Sequence, residues 1–103
     1  MTDYLADVRT YSPEASEAHV AAIVKYCGIA LRNTDSSLVS ASDPTELARV
    51  RDGFAAKKLG LAPEAADQGI QRVVARMKDV RQKSRVTFYY LLAESTNTLD
   101  KLG

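Results

Sequence analysis

Apolar residues along the chain recur mostly at spacings of three and four, the period of helices with one face turned inward. The clearest stripe is Val20, Ile23, Val24, Cys27, Ala30 and Leu31, with Tyr26 beside it. Ser12-Pro13-Glu14 precedes it as a start signal, Ser12 as cap and Pro13 in the first turn, so the pattern predicts a helix from there to about Arg32. A shorter helix over residues 3–9 is expected before it, behind Thr2 as N-cap. Asn33-Thr34-Asp35-Ser36-Ser37 then breaks the periodicity with turn formers, and Leu38-Val39 reads as a single turn capped by Asp35.

The sharpest local signal is Asp43-Pro44-Thr45-Glu46. Asp43 accepts from free first-turn amides, Pro44 has no amide to leave free, and Glu46 is placed to reach back to the Asp43 amide. Leu47, Val50, Phe54 and Leu59 carry the stripe of the helix that follows. Lys57 and Lys58 suit its last turn, Gly60 supplies a left-handed stop, and Leu61 folds back onto the helix end. Pro63-Glu64 opens the next helix, with the stripe Ile70, Val73, Val74, Met77 and Val80. Ser84 caps a last helix bearing Phe88, Tyr89, Leu91, Leu92, Leu99 and Leu102, which the poor helix formers Ser95-Thr96-Asn97-Thr98 stop early.

Gly28, Gly53 and Gly69 fall inside predicted helices at about 1 kcal/mol each relative to Ala, so each marks either the close approach of a neighbouring backbone or else a tolerated loss or local break. No segment alternates at period two for long enough to form a convincing strand. The expected fold is all-α: a single compact bundle of four main helices plus one or two short ones, with residues 1–103 as one domain.

Composition narrows the function classes more than it selects one. With 103 residues and a net charge of +1, the chain is neither a strongly basic nucleic-acid coat nor an acidic tail. The longest apolar runs, residues 20–24 and 88–93, fall far short of the ~20 needed to span a membrane. Met1-Thr2-Asp3-Tyr4 has no basic leader followed by an apolar stretch, and Cys27 has no second cysteine to pair with. A cytoplasmic protein with no secretory signal is the expectation.

Candidate chemistry is sparse. His19 and Cys27 are the chain's one histidine and one cysteine, but eight helical residues separate their backbones by roughly 12 Å, too far for a shared proton or metal. Cys27 lies on the apolar stripe and reads as a buried, inert thiol. The acids read as caps and solvated faces, and the glycines form neither a phosphate loop nor a dinucleotide fingerprint. No catalytic, cofactor-binding or metal-binding residues are assigned, and the chain is expected not to be an enzyme.

Two features rise above this background. Residues 1–50 hold four basic and seven acidic side chains, whereas residues 51–103 hold ten basic and six acidic. Arg72, Arg76, Lys78, Arg81, Lys83 and Arg85 are the candidate contacts for a polyanion. The run around Phe88, Tyr89, Tyr90, Leu91 and Leu92 covers more than one side of a helix, so that helix is either central or meets a partner. Tyr89 and Tyr90 point about 100° apart, and one of them is the candidate partner contact while the other is covered.

Gly28-Ile29-Ala30-Leu31-Arg32, Asp35-Ser36-Ser37-Leu38-Val39 with Ser42-Asp43, and Glu46-Leu47 through Val50-Arg51-Asp52 to Lys57-Lys58-Leu59-Gly60-Leu61 form distinctive strings. Together with Lys83-Ser84-Arg85-Val86-Thr87-Phe88-Tyr89-Tyr90-Leu91-Leu92-Ala93-Glu94 they resemble an uncharacterised bacterial family, domain of unknown function 2853. The similarity spans roughly residues 18–94 and implies a small, stand-alone helical bacterial protein, with no reaction or ligand attached. The leading expectation is a non-catalytic interaction or structural module, with an unknown protein partner or self-association as a homodimer. Polyanion or nucleic-acid binding through the 72–85 region ranks second.

Overall fold

Residues 86–93 form an unbroken buried run, and this sets the architecture. At 3.6 residues per turn, eight consecutive buried positions leave no face for water, so their helix must run through the middle of the molecule. The computed structural model describes residues 4–32, 37–80 and 83–102. In chain order it comprises α1 (Tyr4–Tyr11), α2 (Glu17–Cys27), a 3-10 turn (Gly28–Arg32) and β1 (Leu38–Val39). Next come α3 (Pro44–Arg49), continuing into a π-helical stretch (Val50–Lys58), and α4 (Pro63–Arg76). β2 (Lys83–Ser84), α5 (Arg85–Ser95) and a 3-10 turn (Leu99–Lys101) complete it. The buried run lies on α5, against which α1, α2 and α4 all pack. The all-α bundle predicted from the stripes is the fold that forms.

Several local signals act as read. Asp43 accepts from the Thr45 amide at 2.9 Å, with Pro44 in the first turn. Gly60 takes a φ of +69° after the π stretch, which lets the Leu61 amide return to the Ala55 carbonyl at 3.0 Å. Leu61 thereby packs against the core. Ile70, Val73 and Met77 are buried with Val74 beside them, and α5 stops at Ser95.

Other segments differ, each for a physical reason. The second helix starts at Glu17 behind Ser16, not at Ser12-Pro13. Ser12 instead closes α1 through its amide on the Val8 carbonyl, 2.9 Å, and its hydroxyl donates to Glu94 at 2.5 Å. Arg9 seals the intervening turn by donating twice to the Ala15 carbonyl, at 3.2 and 3.1 Å. The same helix stops as an α-helix at Cys27 because Gly28 adopts a φ of +48°.

Leu38-Val39 is not a turn but one strand of a short antiparallel ladder, Leu38 opposite Ser84 and Val39 opposite Lys83. Two-residue strands are too short to show a period, so the pattern could not reveal them. Asp35, read as the cap of that turn, lies outside the described residues. In the π stretch the buried pairs are Val50 with Ala55 and Phe54 with Leu59, each five apart. The Leu59 amide donates to the Phe54 carbonyl at 3.1 Å, the five-residue bond that defines this helix.

Gly69 is the close-approach glycine. A Cβ there would lie 2.6 Å from Thr96 Cγ2 and 2.8 Å from Leu92 Cδ1, so a hydrogen at this position lets α4 settle onto α5. No helix among the described residues is long and apolar enough to cross a membrane.

Candidate functional site

Arg85 opens α5 beside the ladder, and its side chain turns inward toward α3. Its guanidinium donates to the Tyr89 hydroxyl at 2.8 Å, to the Leu38 carbonyl at 3.2 Å, and to Glu46 Oε1. The Arg85 and Glu46 side chains are each only 12% exposed, so this is a largely desolvated ion pair. Glu46 therefore does not complete the cap motif predicted for it. The Asp43 amide donates to the Ser40 carbonyl at 3.1 Å, which leaves Glu46 free to face Arg85.

An aromatic stack supports the pair. The Arg85 guanidinium carbon sits 5.6 Å from the Tyr89 ring centre, and Tyr89 stacks on Phe54 at 4.1 Å with ring planes 14° apart. Tyr26 meets both rings edge-on, at 5.3 Å from Phe54 and 6.4 Å from Tyr89. Burial alone disfavours the Arg85 charge, but Tyr89 and Glu46 outweigh it and hold the guanidinium above its ordinary pKa. Burial pushes the Tyr89 hydroxyl up, with Arg85 opposing. It also pushes the Cys27 thiol up to about 11, again against Arg85. Cys27 is thus half-buried, not fully buried as its place on the stripe suggested, and its environment favours the neutral thiol near pH 7.

The second cluster lies between α4 and α5. Arg72 Nη1 donates to the Ser95 carbonyl at 3.2 Å. Arg76 Nη1 donates to Glu94 Oε1 at 3.2 Å, and its Nη2 donates to the Tyr11 carbonyl. Glu94 also accepts the Ser12 hydroxyl, so one carboxylate joins α5, α4 and the end of α1. Arg72, Val73, Arg76, Leu91 and Ser95 line a hollow of about 200 Å³ here.

The six candidate polyanion contacts do not form one face. Arg85 is turned into the fold, and Arg72 and Arg76 bridge to α5. Lys78 and Lys83 share a separate hollow of about 310 Å³ with Ser40 and Ser42, and Lys83 Nζ donates to the Val80 carbonyl at 2.6 Å. Arg81 lies outside the described residues. Tyr89 and Tyr90 are 7% and 2% exposed, so neither is the accessible flank that the sequence suggested for one of them. Packing on every side of α5 covers both.

Of the three rings in the Tyr26, Phe54 and Tyr89 group, the one that faces outward is Tyr26, 43% exposed. It lines a groove of about 480 Å³ with Ala22, Lys25, Lys58 and Leu102. The sequence placed Tyr26 beside the α2 stripe, but no local pattern foretold its contact with Phe54 from the π stretch. Among the described residues, no three His, Cys, Asp or Glu side chains gather where they could hold a metal ion.

A search of curated proteins finds no match. A family model described as a protein of unknown function, DUF2853, matches residues 3–100, a wider span than the strings quoted above. That match takes in the ladder, both arginine clusters and the aromatic stack, and the chain belongs to the DUF2853 family.

Proposed function

We propose that this chain is a non-catalytic interaction module of the cytoplasm that receives an acidic protein segment on the face around Tyr26. The observation that carries the reading is the 43% exposure of Tyr26 on a rigid stack of Phe54 and Tyr89. Tyrosine offers a large contact area at low entropic cost, the more so when its ring is already held in place. Lys25 and Lys58 flank the groove, so the complementary partner is acidic, with an apolar side chain to meet Tyr26. The non-catalytic part of the reading is supported by a neutral Cys27 thiol and by an Arg85 already held by Glu46, Tyr89 and Leu38. The cytoplasmic part rests on a single thiol with no disulfide partner in the sequence.

A photo-reactive residue at position 26 tests this in the native cell. The expected product is a cross-link to a protein through an acid-rich segment, lost in the Lys25→Glu/Lys58→Glu variant. Cross-links that survive the charge reversal, or none at all, would overturn the proposal. Cross-linking to a second copy would redirect it to a homodimer.

Polyanion binding is the second reading, favoured by the Lys78–Lys83 hollow and its neighbouring Ser40 and Ser42. Its mark is affinity for single- or double-stranded DNA that falls steeply with added salt and is lost on Lys78→Ala/Lys83→Ala.

A further inference from the structure

We infer that the hollow between α4 and α5 binds a small monocarboxylate carried on a short apolar body. It shares no residue with the Tyr26 groove and does not depend on the reading given to that groove. Arg72 and Arg76 stand four residues apart, so they rise from the same side of α4 and border one opening. Val73 and Leu91 close the base beneath them but are each only 1% exposed, so the apolar surface open to a ligand is chiefly the aliphatic stems of the two arginines. A ligand that fits has a charged end for the guanidiniums and a short hydrocarbon body to lie along those stems.

Charge selects the class of anion. Two guanidiniums and the Glu94 carboxylate leave one positive charge at the rim, which matches a monoanion better than a phosphate dianion. Geometry selects the head group. Arg72 uses only Nη1, on the Ser95 carbonyl, so its Nε and Nη2 have no partner among the described residues. Those two donors form the planar fork that takes both oxygens of a carboxylate. Arg76 is held by Glu94 and Tyr11, with Glu94 held in turn by Ser12, so the second cation is in position before a ligand arrives. Size limits the body. At about 30 Å³ for each water-sized unit, the hollow of about 200 Å³ takes roughly seven, the bulk of an acid of about four to six carbons. Such a carboxylate is found in a free branched-chain acid and at the C-terminus of a peptide ending in leucine.

Titration with isocaproate, followed by amide NMR shifts of the whole chain, tests the site. Saturable shifts confined to the surroundings of Val73, Arg76, Leu91 and Ser95 are expected. Acetate, inorganic phosphate and isocaproamide should each bind at least tenfold more weakly, because each lacks the apolar body, the single charge or the carboxylate. Arg72→Gln should weaken binding about tenfold, and Arg72→Lys should fail to restore it because the fork is gone. Arg72 is exposed and its substitution leaves the core intact, so the folded spectrum serves as the internal control. A leucine-terminated peptide compared with its amidated form distinguishes the sources: tighter binding of the free-ended peptide than of isocaproate assigns the site to a chain terminus, and the reverse assigns it to a free acid. No saturation with either ligand, equal shifts with acetate, or unchanged binding in Arg72→Gln would overturn the inference.

Discussion

Among the described residues, two arginine–glutamate pairs link separate helices of the bundle, and they differ in kind. Arg85 and Glu46 are each 12% exposed, with Tyr89 and the Leu38 carbonyl against the guanidinium and Phe54 stacked on Tyr89. Arg76, which lines a hollow, and its partner Glu94 are 43% and 32% exposed. The first pair lies in a low dielectric, where losing one member strands the other charge. The second is screened by water and contributes little to stability, yet it stands beside guanidinium donors that remain available. The same two residue types therefore serve as an internal brace in one place and an open rim in the other.

The two pairs differ most at Glu46. Glu46→Gln should cost about 3–5 kcal/mol, because the Arg85 charge is left buried without its counter-charge. The double variant Glu46→Leu/Arg85→Met should recover much of that loss. Denaturant unfolding measures both, and a loss below about 1 kcal/mol in the single variant would make this pair equivalent to the exposed one.

Gly69→Ala comes next. Its new methyl meets Thr96 and Leu92 inside contact distance and should cost about 1–3 kcal/mol despite alanine's better helix propensity. Because Gly69 sets how closely α4 lies on α5, the NMR shifts of the hollow's lining should move with it. A stabilised protein would show that the two helices part freely.

Arg76→Gln should change stability by less than about 1 kcal/mol in the same unfolding measurement, in line with an exposed pair. A loss as large as that of Glu46→Gln would dissolve the distinction between the two clusters.

The last effect emerges only in alkali and is absent at neutral pH. The Cys27 thiol, ordinarily near 9.0, titrates at about 11 in the folded chain. Between those values the unfolded chain releases its proton first, so stability is intact below pH 9 and falls as the pH rises toward 11. Tyr89, also raised by burial, adds to the fall above its ordinary 10.0. Cys27→Ser should make the decline shallower when unfolding midpoints are compared from pH 8 to 11.

The sequence disclosed what depends on near neighbours. The α4 stripe, the Gly60 stop, the Asp43-Pro44 start and the central position of the 86–93 run were legible because residues a few positions apart determine each of them. Glu46 escaped because a cap motif explained it completely, while its partner lies 39 positions away. Ser12 escaped in the same way: a helix-start pattern surrounds it, but its hydroxyl bonds Glu94 across the bundle. Tyr26 lies next to a genuine apolar stripe, and only the packed positions of Phe54 and Tyr89 leave it facing outward. Both candidate surfaces thus arise from tertiary placement and carry no motif.

The two-residue ladder has a consequence out of proportion to its length. The Ser84 side chain makes no cap bond to α5; the Arg85 amide donates instead to the Ser37 carbonyl at 2.8 Å, next to β1. The most deeply buried helix of the protein thus takes a bond at its first residue from a segment almost half the chain away. Opening the ladder uncovers that end of α5 and loosens Arg85 together with it. The ladder and the first turn of α5 should consequently open as one unit, with amides that exchange with solvent together and more slowly than an isolated pair of two-residue strands would allow.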